Sequence, residues 1–218
     1  MKNHLKILYD IAIILCAGVL GVPSVHAQKT ERIDELDAMP LIEMLNSVET
    51  GKTSDLIQKF QNKEGKTRLL NGKFGPKSGC TVEALRNKEV LLITIPASML
   101  FGPNATELLP GAGELLAPIR RYLKEPDMYR VVLVMHTDNT GSGQYREELT
   151  NARADSVFEW FEKSGANTAY LFPYALADTM PVAENTSVAD RAANRRLEIY
   201  LVPGTKMIEQ AKKGRIEF

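Results

Sequence analysis

Two charged residues, Asp138 and Arg153, draw attention for what their side chains can hold together. An aspartate is an acceptor-only carboxylate, and an arginine is a planar fork of five donors. Asp138 lies in a polar, glycine-bearing loop, Thr137 to Gly143, after the apolar run Val131-Val132-Leu133-Val134-Met135. The end of a buried strand is where α/β sheets usually place ligand sites. Arg153 lies on the helical stretch beyond the loop and shares a face with Leu149 and nearly with Arg146. A loop that returns this helix onto the sheet brings Arg153 back beside Asp138. Such a pocket suits a zwitterion, with an ammonium on Asp138 and a carboxylate held bidentately by Arg153. A plain ion pair joining loop to helix fits the same spacing.

Other chemistry fits less well. His136 precedes the loop, but no nucleophile pattern accompanies it, so packing or supporting hydrogen bonds are its expected role. Asp138 to Leu149 has Gly143 at the sixth position of a calcium loop. However, Thr140 and Ser142 replace ligands and Leu149 stands where the bidentate Glu belongs. Gly51-Lys52-Thr53 ends like a phosphate loop, yet Asn46 replaces its first Gly and no strand precedes it. Neither a metal nor a cofactor is expected, and the chain is not read as an enzyme.

The stretch His136-Thr137-Asp138, Gly141, Leu149-Thr150 and Arg153-Ala154 resembles the OmpA-like peptidoglycan-binding family in residue types and spacing. The similarity continues through Pro181-Val182, Asn185 and Asn194-Arg195-Arg196-Leu197-Glu198-Ile199, covering roughly residues 88 to 203. The resemblance implies non-covalent binding of the diaminopimelate of a peptidoglycan stem peptide, tethering an envelope component to the cell wall. It puts the grip on Asp138 and Arg153 and the pocket lining on Thr137, Asn139 and Leu149. Arg195 and Arg196 must point to opposite faces of the last strand, one closing a rim salt bridge and the other facing the ligand. Spacing does not say which; Arg196 enters the candidate ligand set. Three departures from the family pattern stand out. Met135 replaces a Gly, Arg146 replaces a common Asn, and Ala175-Leu176-Ala177 stands where a Gly-x-Gly segment is usual, closing Gly-only conformations to that backbone. They motivate an alternative: a periplasmic scaffold that keeps the fold with weak or no peptidoglycan binding.

These residues need a sheet and helices to position them. Val90 to Ile95 reads as a strand stopped by Pro96. A helix follows, capped by Asn104 or starting near Gly113 because Pro110 and Gly111 intervene. Val131 to Met135 reads as a strand covered on both faces. Then come a helix over about 144–164, a short strand near 170–175 and an alternating last strand over 197–201. The expected fold class is α+β, a βαβαβ-type mixed sheet with helices packed against it. Residues 28–85 read as a short helical and linker region, either an oligomerisation element for a homodimer or a dock for an envelope partner. The domain proper is placed at 86–203, and 204–218 at a solvated tail.

Residues 1–27 read as a signal peptide: Lys2 and Lys6, the apolar run Ile11 to Val22, and Val25-His26-Ala27 before Gln28. Export to the periplasm or cell envelope follows, with outer-membrane association as an option. Removal leaves His136 as the sole histidine and Cys80 as the sole cysteine, to be a quiet buried thiol or an intermolecular bridge. The whole chain carries 27 basic and 27 acidic residues. That balance disfavours nucleic acid, which a strongly basic surface would bind through counterion release.

Overall fold

The computed structural model describes residues 35–75 and 77–218. The signal-peptide reading of residues 1–27 lies outside them. Five strands form one mixed sheet: β1 (Thr81–Leu85), β2 (Val90–Pro96), β3 (Tyr129–Met135), β4 (Leu171–Ala175) and β5 (Arg196–Pro203), in the order β1-β2-β5-β3-β4. β3 and β4 are parallel, and the other pairs are antiparallel. The α+β expectation holds, and β2 through β5 fall where apolar runs and alternation placed them.

β3 is buried at every position. Its alternate residues feed two cores, as the period of a strand requires. Val131, Leu133 and Met135 join one core with Val157 and Phe161 of helix α4 (Gly143–Lys163). Val132 and Val134 join Val90, Phe172 and Val202 on the opposite face. What covers that second face is the chain's own N-terminal segment. Leu36, on a helical turn over residues 35–38, packs there with Leu41 and Met44 of α1 (Leu41–Asn46). Each such side chain contributes about 1.5–3 kcal/mol when fully buried.

The boundary drawn at residue 85 therefore cuts through one folded unit. β1 lies within the segment read as a linker and pairs with β2 along its whole length. Its Thr81-Val82-Glu83-Ala84-Leu85 sequence, with only Val82 and Leu85 half-buried, carries little of the pattern by which a strand is recognised. Helix α2 (Ser54–Lys63) continues into a π-helix, Glu64–Leu70, where a loop was expected, and Ile57, Leu69 and Phe74 enter the first core. Arg86 fastens the N-terminal segment by donating to the carbonyls of Leu45 and Val48, both at 2.9 Å.

The segment 204–218 is also corrected. Helix α6 (Thr205–Lys212) buries Met207, Ile208 and Ala211. Beyond it, Phe218 meets the rings of Phe60, Tyr122 and Tyr129. Its lysines face solvent while the apolar stripe does the packing. After β2, the capped helix shrinks to α3 (Ala112–Leu116) followed by a 3₁₀ turn, Ala117–Leu123, with Pro118 in its first turn. A proline removes a backbone donor that an α-helix interior needs. Cys80 is a free, buried thiol, 6% exposed, pushed up in pKa by burial. No described helix is long and apolar enough to cross a membrane.

Candidate functional site

Asp138 sits three residues beyond the end of β3, 4% exposed. Its Oδ1 accepts the Thr140 backbone N–H at 2.8 Å, a local turn that Asp favours. Its Oδ2 is paired with a guanidinium, but that of Arg195 rather than Arg153. Burial pushes the Asp138 carboxyl up; the hydrogen bonds from Thr140 and Arg195 outweigh it and hold the group below its ordinary value.

Arg153 is likewise buried, at 4% exposure. Its Nε donates to the Ala105 carbonyl at 2.8 Å and its Nη2 to the Gly102 carbonyl at 3.2 Å, with the guanidinium 4.9 Å from the centre of the Phe101 ring. The direct Asp138–Arg153 pairing expected from spacing is thus replaced by a wider arrangement. Burial lowers the Arg153 pKa; Tyr145 opposes that shift and the Arg195 charge adds to it. Arg195 acts electrostatically on both Asp138 and Arg153, and its own side chain is 39% exposed.

The two consecutive arginines divide as alternation requires, in the opposite sense to the candidate set. Arg196 is 4% exposed and occupied: Nε donates to Glu198 Oε1 at 2.8 Å, and Nη2 to the Met180 carbonyl at 3.1 Å. Residues two apart on a strand share a face, so Glu198 is the natural captor of Arg196. Arg195, at the end of helix α5 (Val188–Asn194), is left to meet Asp138. Glu198 Oε2 also accepts from the Tyr200 hydroxyl at 2.6 Å and lies 3.2 Å from His136 Nε2. Because a carboxylate only accepts, the ring proton belongs on Nε2. His136 Nδ1 is then a buried acceptor with no hydrogen-bond partner. His136 thus supports the site from beneath, as a packed and hydrogen-bonded residue.

Of the remaining candidates, Thr137 and Leu149 are buried at 5% and 8% exposure, while Asn139 is exposed. The Thr137 N–H donates to the Ala177 carbonyl at 2.9 Å. Ala177 has φ +46°, so the backbone does enter the left-handed region there despite its Cβ. The segment pays that strain without glycine. Arg146, the cation in place of an amide, is neutralised by Asp178 at 2.7 Å and donates to the Gly141 carbonyl at 2.5 Å. Sequence reasoning missed this strap, since Asp178 is 32 residues away. It likewise missed Asn194, fully buried, whose Oδ1 accepts from Val182 N–H at 2.8 Å and Ala183 N–H at 3.0 Å. Pro181-Val182 and Asn185 are thereby held as one loop against α5.

Gly141 lies at the turn into α4 with φ +88°, and a Cβ there would meet Tyr145 Cδ1 at 2.8 Å. The Gly141→Ala protein is expected to lose about 1–2 kcal/mol of stability, read from its urea midpoint. Ser142 caps the helix, accepting from the Tyr145 N–H at 3.2 Å. Among the described residues, no three of His, Cys, Asp and Glu converge to hold a metal ion. The chemistry on offer is charge recognition: a carboxylate with two guanidiniums in reach of one another's fields.

Residues 100–195 match the OmpA family. That stretch, less than half of the chain, is OmpA-like. The outer-membrane lipoprotein YfiB of Pseudomonas aeruginosa is 37% identical over 105 residues, 48% of this chain and 62% of that protein. The peptidoglycan-binding protein ArfA of Mycobacterium tuberculosis is 32% identical over 101 residues, 46% of this chain and 31% of that protein. Against the first three curated relatives the matched region spans 62%, 57% and 59% of their length. Among solved structures, a MotB-like protein from Desulfovibrio vulgaris has the same fold, with a TM-score of 0.59 and 24% identity over 70% of this chain and 96% of that one. The OmpA-like segment, 100–195, thus covers β3, β4, α4 and α5 with the Asp138 loop; β1, β2 and β5 lie outside the matched residues.

Proposed function

We propose that the protein binds cell-wall peptidoglycan non-covalently through its OmpA-like domain, taking the diaminopimelate of the stem peptide at Asp138. Binding rather than catalysis is the role of the site, and an exported envelope protein is its setting. The observation that carries the reading is the buried Asp138 carboxylate, kept ionised beyond the end of β3 by Thr140 and Arg195, with Arg195 in turn acting on the buried Arg153. An ionised carboxylate offers about four acceptor positions, so two bonds leave it room for a ligand ammonium. Arg195 and Arg153 supply positive charge for the ligand's carboxylate. ArfA, named for peptidoglycan binding, supports the partner class.

Tethering needs only modest affinity at each site, because many copies on one polymer gain by effective concentration. The test is co-sedimentation of the whole chain with purified sacculi of two chemistries. Sacculi cross-linked through diaminopimelate are expected to carry the protein down, and sacculi with lysine at that position to carry down much less. Equal sedimentation with both removes the diaminopimelate assignment, and sedimentation with neither removes peptidoglycan binding. A specific observation favours the scaffold reading too: Asp138 is already satisfied internally by Arg195. Failure with both sacculi would select that reading.

A further inference from the structure

At the other end of α4 lies a second charged feature, a groove of about 920 Å³. Arg68, Arg120, Arg121 and Lys124 line it, with Leu69 and Ala166 among its apolar walls. We propose that this groove binds a phosphate group carried on an apolar body. The inference stands apart from the peptidoglycan reading. The Asp138 loop enters α4 at its first residue, whereas the groove takes in Gly165 and Asn167 just past its last. Twenty-one helical residues separate the two ends by about 30 Å.

The groove's charge is built from within. Glu64, its side chain 2% exposed, receives Arg68 Nε at 2.7 Å and lies 3.7 Å from Arg121 Nε. One buried carboxylate thus orients two guanidiniums without cancelling them. The Tyr122 hydroxyl adds a bond to Glu64 at 3.4 Å. Arg121 Nε is buried with no hydrogen-bond partner, and its Nη2 donates to the Phe218 carbonyl at 2.9 Å. Arg120 and Lys124 are exposed, and among the described residues neither side chain has an ion pair. Four cations stand against the Glu64 carboxylate and the Phe218 oxygen that Arg121 meets, and leave a positive excess in one concavity. The carboxyl end of α4 contributes only about half a negative charge against it. Arg68 and Leu69 are presented by the π-helix, a distortion found often at functional sites.

Phosphate matches this set better than a carboxylate does, since its three or four oxygens can engage several forks at once. The apolar walls take the body that carries it. Two sources share that chemistry: a soluble phosphate compound and a phospholipid headgroup.

The test uses the full chain with inorganic pyrophosphate by calorimetry, and with vesicles of phosphatidylglycerol or phosphatidylcholine by flotation. We expect binding to pyrophosphate, to phosphatidylglycerol vesicles, or to both, and none to phosphatidylcholine alone, whose choline cation neutralises its phosphate and is repelled by the basic groove. Pyrophosphate without vesicles assigns a soluble ligand; vesicles without pyrophosphate assign a headgroup. The Arg120→Glu/Lys124→Glu protein is expected to lose at least about tenfold in affinity with an unchanged melting temperature, since both side chains are exposed. Its sedimentation with sacculi is expected to be unaltered. Binding to neither probe, equal binding to both vesicle types, or binding that the double reversal leaves intact would overturn the proposal.

Discussion

Asp138→Ala is expected to weaken binding to a diaminopimelate-containing muropeptide by about 30-fold or more. Removing one partner of a buried, hydrogen-bonded charge pair costs about 2–5 kcal/mol, and each 1.4 kcal/mol is tenfold. Two effects add in this variant. The ligand ammonium loses its carboxylate, and Arg195 loses its paired anion while still facing the Arg153 charge. Arg195→Ala should act less, by about tenfold, because Arg153 remains to meet the ligand carboxylate. In that variant the Asp138 carboxyl rises toward its ordinary value, having lost one of the bonds that lower it. The order, with Asp138 above Arg195, is a signature that a merely structural ion pair would not give. For a structural pair both truncations would change stability and leave muropeptide affinity alone. Calorimetry on folded variants separates the two.

The second large effect concerns the support beneath the site. Glu198→Ala is expected to destabilise the protein by about 3–5 kcal/mol, because it strands Arg196 as a buried cation and frees His136 and Tyr200. Burial pushes the Glu198 carboxyl up, but the His136 and Tyr200 bonds and the Arg196 charge hold it at about 2, against an ordinary 4.5. A carboxylate lowered in the folded state binds more protons when unfolded. Its contribution is therefore full above the unfolded value and is lost as pH falls from about 4.5 toward 2. Urea midpoints over that range should fall for the wild type. The Glu198→Ala protein should start lower at pH 7 and lose less on acidification. A parallel pH dependence in both proteins would remove Glu198 as the origin.

Much of this fold is written plainly in the chain, and the exceptions have physical causes. The unbroken apolar run of β3 announces burial on both faces, but not that Leu36, Leu41 and Met44 supply the second cover. Those residues sit in a polar, proline-broken stretch whose helices are short, so periodicity has few turns in which to show itself. β1 is a solvent-facing edge strand and lacks an apolar stripe. In α6, polar residues outnumber the three side chains that do the packing. At the site, the position of Asp138 follows from strand and loop, because both are local. Its partner does not: Arg195 is 57 residues away, and strand alternation separates Arg195 from Arg196 without naming the face. The deciding fact is that Glu198 lies two residues beyond Arg196 and claims it. Similarly, Arg146 looks like an intrusive cation until Asp178 is seen to neutralise it.

The central claim is that Asp138 receives a zwitterion. Its most direct test is calorimetric titration of the whole chain with free diaminopimelate at neutral pH, run beside the Asp138→Ala protein. The account predicts one saturable site in the wild type, weakened about 30-fold or more by the substitution. Equal binding by the two proteins, or no saturable binding by the folded wild type, would contradict it.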